Sequence, residues 1–232
     1  MEQDIHEYSN EKITVSYDVN RCIHARECVR NLPSVFDPDR RPWIDPNNAD
    51  INELTDVIMQ CPTGALQFDR TDDGPAEPIP EKNTVTVVPN GPLYLRGDIE
   101  IATPDNTVLL ADTRVGLCRC GASENKPLCD NSHEAIDFQD NGTVKSTPDG
   151  SDSSDGETLR VVPTPNGPVL LRGEFEIRGR DDEQSHRSAD AALCRCGGSQ
   201  DKPFCDGTHD AIGFSTEDNE GSSDIDDYPD RQ

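Results

Sequence analysis

Two stretches of this chain, LCRCGASENKPLCDNSHEAIDF at residues 117–138 and LCRCGGSQDKPFCDGTHDAIGF at residues 193–214, are copies offset by 76 positions. Each packs three cysteines and a histidine into sixteen residues beside a proline and a tight turn, so that Cys118/Cys194, Cys120/Cys196, Cys129/Cys205 and His133/His209 recur in register. Soft donors at that density point to a metal site, and the repeat implies two sites of one kind. Only 32% of the 232 residues are hydrophobic and 29% are charged, so any core is small and bound metal would supply the missing cohesion.

The nine cysteines stand as C-x-C and C-P rather than scattered over loops, which fits ligated thiolates better than disulfides. A net charge of -25 repels phosphate backbones and anionic membranes, so nucleic acid and lipid are poor partners. Acidic residues are 30 Asp to 16 Glu and basic ones 16 Arg to 5 Lys. An Asp-rich, Lys-poor surface resembles that of proteins from salt-loving archaea; the alternative is an acidic protein with disordered tails. The start lacks the basic and apolar regions of a signal peptide, and no run approaches the roughly 18 apolar residues of a membrane span. The expectation is a soluble, cytoplasmic protein.

Along the chain, the first dozen residues are polar and are expected to fray. Residues 12–17 alternate like a strand, and residues 49–60 carry Ile51, Leu54, Val57 and Ile58 at helical spacing behind Asp50 as a cap. A domain over 12–69 is followed by an Asp/Pro/Glu-rich linker at 70–83. Short strands are predicted at 85–88, 93–96 and 98–101, with a turn at Asn90-Gly91-Pro92 that returns at Asn166-Gly167-Pro168. This gives modules at 84–139 and 159–215, a flexible acidic tether at 140–158 and a disordered tail at 216–232. The predicted class is α+β: a small amino-terminal domain followed by two β-rich modules packed as an intramolecular pseudo-dimer, in a chain that is a monomer.

Each copy reads C-x-C-x2-S-x3-P-x-C-D-x-[ST]-H. Cys118 and Cys120 can point two sulfurs at one centre, while Cys129 and His133 can share a face of a short helix opened by Asp130. Three cysteines and a histidine by themselves would suit structural zinc, but zinc does not require the Ser, Pro and Asp at fixed offsets. Cys194, Cys196, Ser199, Pro203, Cys205, Asp206, Gly207, Thr208 and His209 closely resemble the CDGSH family of iron-sulfur proteins. That resemblance covers residues 85–214 and implies a 2Fe-2S cluster on each Cys3His set. The first copy departs from the pattern at Asn131, a residue that tolerates left-handed backbone. Arg119, Arg195, Lys126 and Lys202 flank the ligands, either raising the potential or as solvated charges.

Cys22, Cys28 and Cys61-Pro62 form a third group in which Ala25 stands where a regular C-x2-C-x2-C loop has its middle cysteine. The segment RCIHARECVRNLPSVFDPDRRPWI with the later CPTGAL resembles the divergent 4Fe-4S mono-cluster ferredoxin family over residues 12–69. It implies Cys22, Cys28 and Cys61 as ligands of a 4Fe-4S or 3Fe-4S cluster. His24 is the candidate fourth ligand, with an ordinary surface histidine as the alternative; Trp43 and Phe36 read as core. No Ser-His-Asp set, Walker loop, G-x-G-x-x-G or paired-carboxylate cleft is apparent, so no catalytic residues are assigned. The expected role is electron transfer between a reductase and an acceptor protein. The alternatives are a redox- or pH-responsive cluster store or donor, a subunit of a larger redox enzyme, and a structural zinc module.

Overall fold

The computed structural model describes residues 3–144, 157–179 and 185–216. Alternation in β2 (Ile13–Asp18) turns Ile13 and Val15 inward, and β2 is the middle strand of an antiparallel sheet between β1 (Ile5–Ser9) and β3 (Leu66–Arg70). The expected fraying of the first dozen residues is therefore wrong. β1 is an exposed edge strand, held by its ladder to β2 and by Tyr8 against Trp43, neither of which leaves a strong hydrophobic signal. After α1 (Glu27–Asn31), α2 (Ile51–Ile58) follows Asp50, whose side chain accepts the Asn52 N–H at 2.9 Å. Its Leu54, Val57 and Ile58 close on Val15, Phe36 and Ile44 in one core, with Trp43 packed at its edge.

The second unit is a six-stranded sheet. β4 (Thr84–Val87) pairs antiparallel with β5 (Leu93–Ala102), which pairs with β6 (Val108–Leu117); β7 (Leu159–Pro163), β8 (Val169–Gly179) and β9 (Ser185–Leu193) repeat that order. The strands expected at 93–96 and 98–101 are one strand, β5, with a register shift between Arg96 and Ile99 around Gly97. β6 and β9 have too little periodicity to have been anticipated. The two copies also exchange partners. β4 runs parallel to the far half of β8, with Thr84 opposite Glu176, and β7 runs parallel to the far half of β5, with Arg160 opposite Glu100. Both pairings follow from one another by the 76-residue offset. Val85, Leu95, Ile99, Val115, Val161, Leu171 and Ile177 thereby enter a single core to which both copies contribute. Among the described residues no helix is long and apolar enough to cross a membrane.

The two units are joined by buried ion pairs. Arg114 on β6 is 2% exposed and places all five guanidinium N–H groups: two on the Glu77 carboxylate, two on the carbonyls of Ile58 and Cys61, and one on that of Leu66. Arg21 pairs with Asp112 at 2.7 Å and donates to the carbonyls of Thr63 and Arg114. Residues 71–83 contain no strand or helix, yet Glu77 ties them to Arg114. Most of the expected tether, 145–156, and most of the expected tail, 217–232, lie outside the described residues.

Candidate metal centres

In the first copy β6 runs directly into Cys118. Sγ of Cys118 and Sγ of Cys120 stand 3.7 Å apart, and Sγ of Cys129 is 3.4 Å from Nδ1 of His133. The second copy gives 3.8 Å for Cys194 and Cys196, and 3.4 Å for Cys205 and His209. Two thiolates on one tetrahedral metal with bonds of about 2.3 Å stand about 3.8 Å apart, and a thiolate and an imidazole about 3.6 Å apart. Each copy therefore presents two donor pairs, each spaced for one metal. Among the described residues no three His, Cys, Asp or Glu side chains gather on one ion position.

The recurring Ser, Pro and Asp hold those pairs together. The Cys118 N–H donates to the Pro127 carbonyl and the Cys129 N–H to that of Gly116; Cys194 with Pro203 and Cys205 with Ala192 repeat this. Ser123 Oγ donates to the Leu128 carbonyl and accepts the Asn125 N–H, while Asp130 accepts the N–H groups of Glu124 and Ser132. Ser199 and Asp206 do the same in the second copy. Cys129 is not on the short helix as expected: α3 (Ser132–Ala135) carries His133 alone, and α4 (Thr208–Ala211) carries His209. Asn131 caps α3 with φ 76° where Gly207 has 85°, so the single departure from the motif keeps the turn.

Arg119 and Arg195 are not solvated charges. They are 1% and 4% exposed, donate to the carbonyls of Val88 and Gly91 and of Thr164 and Gly167, and lie over the rings of Phe138 and Phe214. Arg119 also pairs with Asp140. Burial pushes the Cys129 thiol up to about 12 and that of Cys194 up to about 11. Cys118 is lowered to about 6 by the hydrogen bond from Cys120, aided by backbone N–H groups of Ser123 and Gly121, and the same contact raises Cys120. Burial lowers His133, favouring the neutral ligating form. Cys118 is thus poised as a thiolate, whereas the raised thiols of Cys120, Cys129 and Cys194 ionise only when a cation supplies the compensating charge, and this donor set fits a metal cluster.

In the amino-terminal unit Cys22, Cys28 and Cys61 line one cavity together with Ala25, Tyr17 and Trp43. Burial raises the Cys22 thiol and pushes that of Cys28 up to about 12, with the nearby Cys61 adding to both. Tyr17 is raised by burial and by its hydrogen bond to Cys22, which leaves a neutral phenol to donate to that sulfur. Ala25 thus occupies the wall where a fourth thiol would stand. His24 is exposed, with φ 55°, and lines an adjoining groove instead of the three-thiol cavity.

The three sites touch in sequence. A Cβ on Gly116 would fall 2.7 Å from Cγ2 of Thr63, so Thr63, two residues from Cys61, packs on the residue whose carbonyl accepts the Cys129 N–H. Asn125 Nδ2 donates to the Asn20 carbonyl at 2.7 Å. A Cβ on Gly121 would fall 2.5 Å from the Cys196 carbonyl oxygen, and one on Gly197 2.4 Å from that of Cys120. The residues that dock the amino-terminal unit escaped the sequence reading, although the two copies carry a signal for them. Asp112, Arg114, Gly116 and Asn125 all touch that unit, and their counterparts 76 residues on are Ser188, Asp190, Ala192 and Asp201.

Residues 8–71 match the family described as divergent 4Fe-4S mono-cluster, and residues 90–134 and 166–210 match the iron-binding zinc finger of CDGSH type. The uncharacterized protein YjdI of Escherichia coli K12 is 39% identical over 61 residues, 26% of this chain and 80% of YjdI; YjdI of Escherichia coli O157:H7 matches to the same extent. No solved structure matches the chain. These families imply bound iron-sulfur clusters, at a 4Fe-4S domain and at two CDGSH domains. The chain belongs to the divergent 4Fe-4S mono-cluster family through its amino-terminal domain, to which it joins two iron-binding domains of CDGSH type.

Proposed function

We propose that the chain is a one-electron carrier rather than an enzyme, with a 2Fe-2S cluster on each Cys3His set and a 4Fe-4S or 3Fe-4S cluster at Cys22, Cys28 and Cys61. When bound, such clusters take up and release single electrons. Three thiolates and an imidazole bring one negative charge fewer than four thiolates, which favours electron uptake and a potential above that of plant-type ferredoxins. The match to the CDGSH type, with Ser, Pro and Asp at the same offsets in both copies, favours a binuclear cluster over a single structural zinc ion, which requires only the four donors.

The observation that carries the reading is the unbroken contact from site to site: Cys61 through Thr63 to Gly116 and Cys129, then Cys120 and Gly121 to Cys196. An electron entering at the amino-terminal site would pass to the first module and then to the second. We read the modules as halves of an intramolecular pseudo-dimer, supported by the reciprocal pairing of β4 and β7, in a chain that works as a monomer. Its partners are a reductase and an acceptor protein in the cytoplasm, and its acidic surface suits a high-salt interior.

One observation favours a cluster donor instead: Cys196, Cys205 and His209 are half-buried, whereas Cys120, Cys129 and His133 are buried. Iron and acid-labile sulfide, measured before and after a cycle of reduction and reoxidation, separate the readings. Carriage requires full retention with a reversible visible spectrum. Rapid transfer of iron to an apo-ferredoxin favours donation, and a colourless preparation containing zinc refutes both.

A further inference from the structure

Beside the three-thiol cavity lies a groove of about 470 Å³, and the two share Tyr17, Cys22, Arg26, Cys28 and Trp43. That volume falls within the roughly 300–1,000 Å³ of small-molecule sites. One wall is aromatic: Tyr8 and Tyr17 meet Trp43 edge-on, with ring centroids 6.5 and 4.9 Å apart. The rest of the lining sets His6, His24, Arg26 and Arg41 among apolar residues and two cysteines, with no carboxylate. His6 faces Asp4 at 3.3 Å, and one Nη of Arg41 donates to the carbonyls of Pro38 and Arg40. Among the described residues the side chains of His24 and Arg26 make no hydrogen bond or ion pair.

This basic rim is set against the charge of the whole molecule. Residues 21–41 hold five arginines and three carboxylates, a net of +2, while the rest of the chain holds 16 basic and 43 acidic residues. His24 and Arg26 both have left-handed backbone, at φ 55° and 65°, a conformation that non-glycine residues seldom keep without a compensating role. Here that turn brings both side chains to the groove.

We propose that the groove binds a small planar aromatic anion of the flavin mononucleotide class, its ring on the wall of Tyr8, Tyr17 and Trp43 and its anionic group held by Arg26 and Arg41. Ring and charge are both needed: the aromatic wall supplies area, and the guanidinium groups select a phosphate or carboxylate. An acidic partner protein would satisfy the arginines while leaving the aromatic concavity unfilled. Binding stands on these residues alone, and the carrier reading of the neighbouring thiols, on which this proposal rests for its purpose, is tested separately.

The full-length protein, its iron content measured first, is equilibrated by dialysis with flavin mononucleotide, riboflavin or inorganic phosphate, while the fluorescence of Trp43, the sole tryptophan, is followed. The expected result is one flavin mononucleotide per chain with quenching of Trp43, and at least tenfold weaker binding of riboflavin, which lacks the charge, and of phosphate, which lacks the ring. Arg26→Glu and Arg41→Glu should each weaken binding about tenfold, whereas Arg30→Glu, an exposed arginine outside the groove, should leave it unchanged. No retention of the nucleotide by iron-replete protein overturns the proposal. So does equal weakening by Arg30→Glu, or displacement of the nucleotide by poly-glutamate at equal charge. Retention by protein stripped of its iron also upholds the groove, whereas the carrier reading is decided separately by iron and acid-labile sulfide.

Discussion

Replacing Arg114 by methionine should uncouple the amino-terminal domain from the modules. The arginine is 2% exposed and gives its five donors to Glu77 and to the carbonyls of Ile58, Cys61 and Leu66, with distances of 2.7 to 2.9 Å. Methionine fills much of the volume but removes five hydrogen bonds, leaving Glu77 the Thr113 hydroxyl and the carbonyls of Ile58 and Cys61 the N–H groups of Cys61 and Gly64. Removing one partner of a buried ion pair costs about 3–5 kcal/mol. The Glu77 side chain is 16% exposed, so water recovers part of its hydration and the lower end of that range is expected. Arg114→Lys keeps the charge with three donors for five acceptors and should lose about half as much. Chemical denaturation followed by Trp43 fluorescence, which reports the amino-terminal domain, and by the electron paramagnetic resonance signal of the reduced 2Fe-2S clusters, which reports the modules, checks this. The Trp43 transition should move to lower denaturant ahead of the other, and a double-mutant cycle with Glu77→Gln should show coupling above about 1.5 kcal/mol. A loss below about 1 kcal/mol with superimposed transitions would mean that Arg114 does not hold the domains together.

Gly121 and Gly207 share nearly the same backbone, φ 86° and 85°, but only Gly121 faces another chain segment, the Cys196 backbone, while Gly207 has nothing within 4 Å. Gly207→Ala should cost about 1–2 kcal/mol of left-handed strain, and Gly121→Ala about 1–3 kcal/mol more through overpacking; equal losses in thermal denaturation would refute a tight contact between the modules. For pH, burial depresses His133 below the ordinary imidazole value, so the unfolded chain takes up its proton first. Stability from this site is full above about pH 6.5 and falls as pH drops toward the folded value. Because His209 is more exposed than His133, visible absorbance of the second module should bleach first on acidification, and His209→Cys should abolish that order. Ala25→Cys places a fourth thiol in the cavity of Cys22, Cys28 and Cys61; it should yield a four-thiolate cluster by electron paramagnetic resonance and, by adding a negative charge, lower its potential. A charge of -25 predicts loss of structure below molar KCl, and a circular dichroism signal indifferent to salt would remove that expectation.

The local ligand chemistry was legible from spacing because its parts are close in sequence. Cys118 and Cys120 are two residues apart and Cys129 and His133 four, so their pairing needs only a turn. The α2 helix behind Asp50 and strand β2 were readable for the same reason, as a cap and a periodicity act within a few residues. Spacing misled or left matters open where burial rather than pattern decides: β1 has almost no inward side chains, and Arg119 and Arg195, open between tuning the potential and solvated charge, each close a turn inside the fold.

The sequence by itself determined which cysteines and histidines stand close together and, through the 76-residue offset, the equivalence of the two modules. Only the tertiary structure decided how they are joined: β4 crossing to β8, Gly121 against Cys196, and Arg114 locking the Cys61 loop to β6. A ligand motif is written by neighbours along the chain, whereas these contacts join residues 53 to 92 positions apart, which pair only once a shared core has brought the strands together.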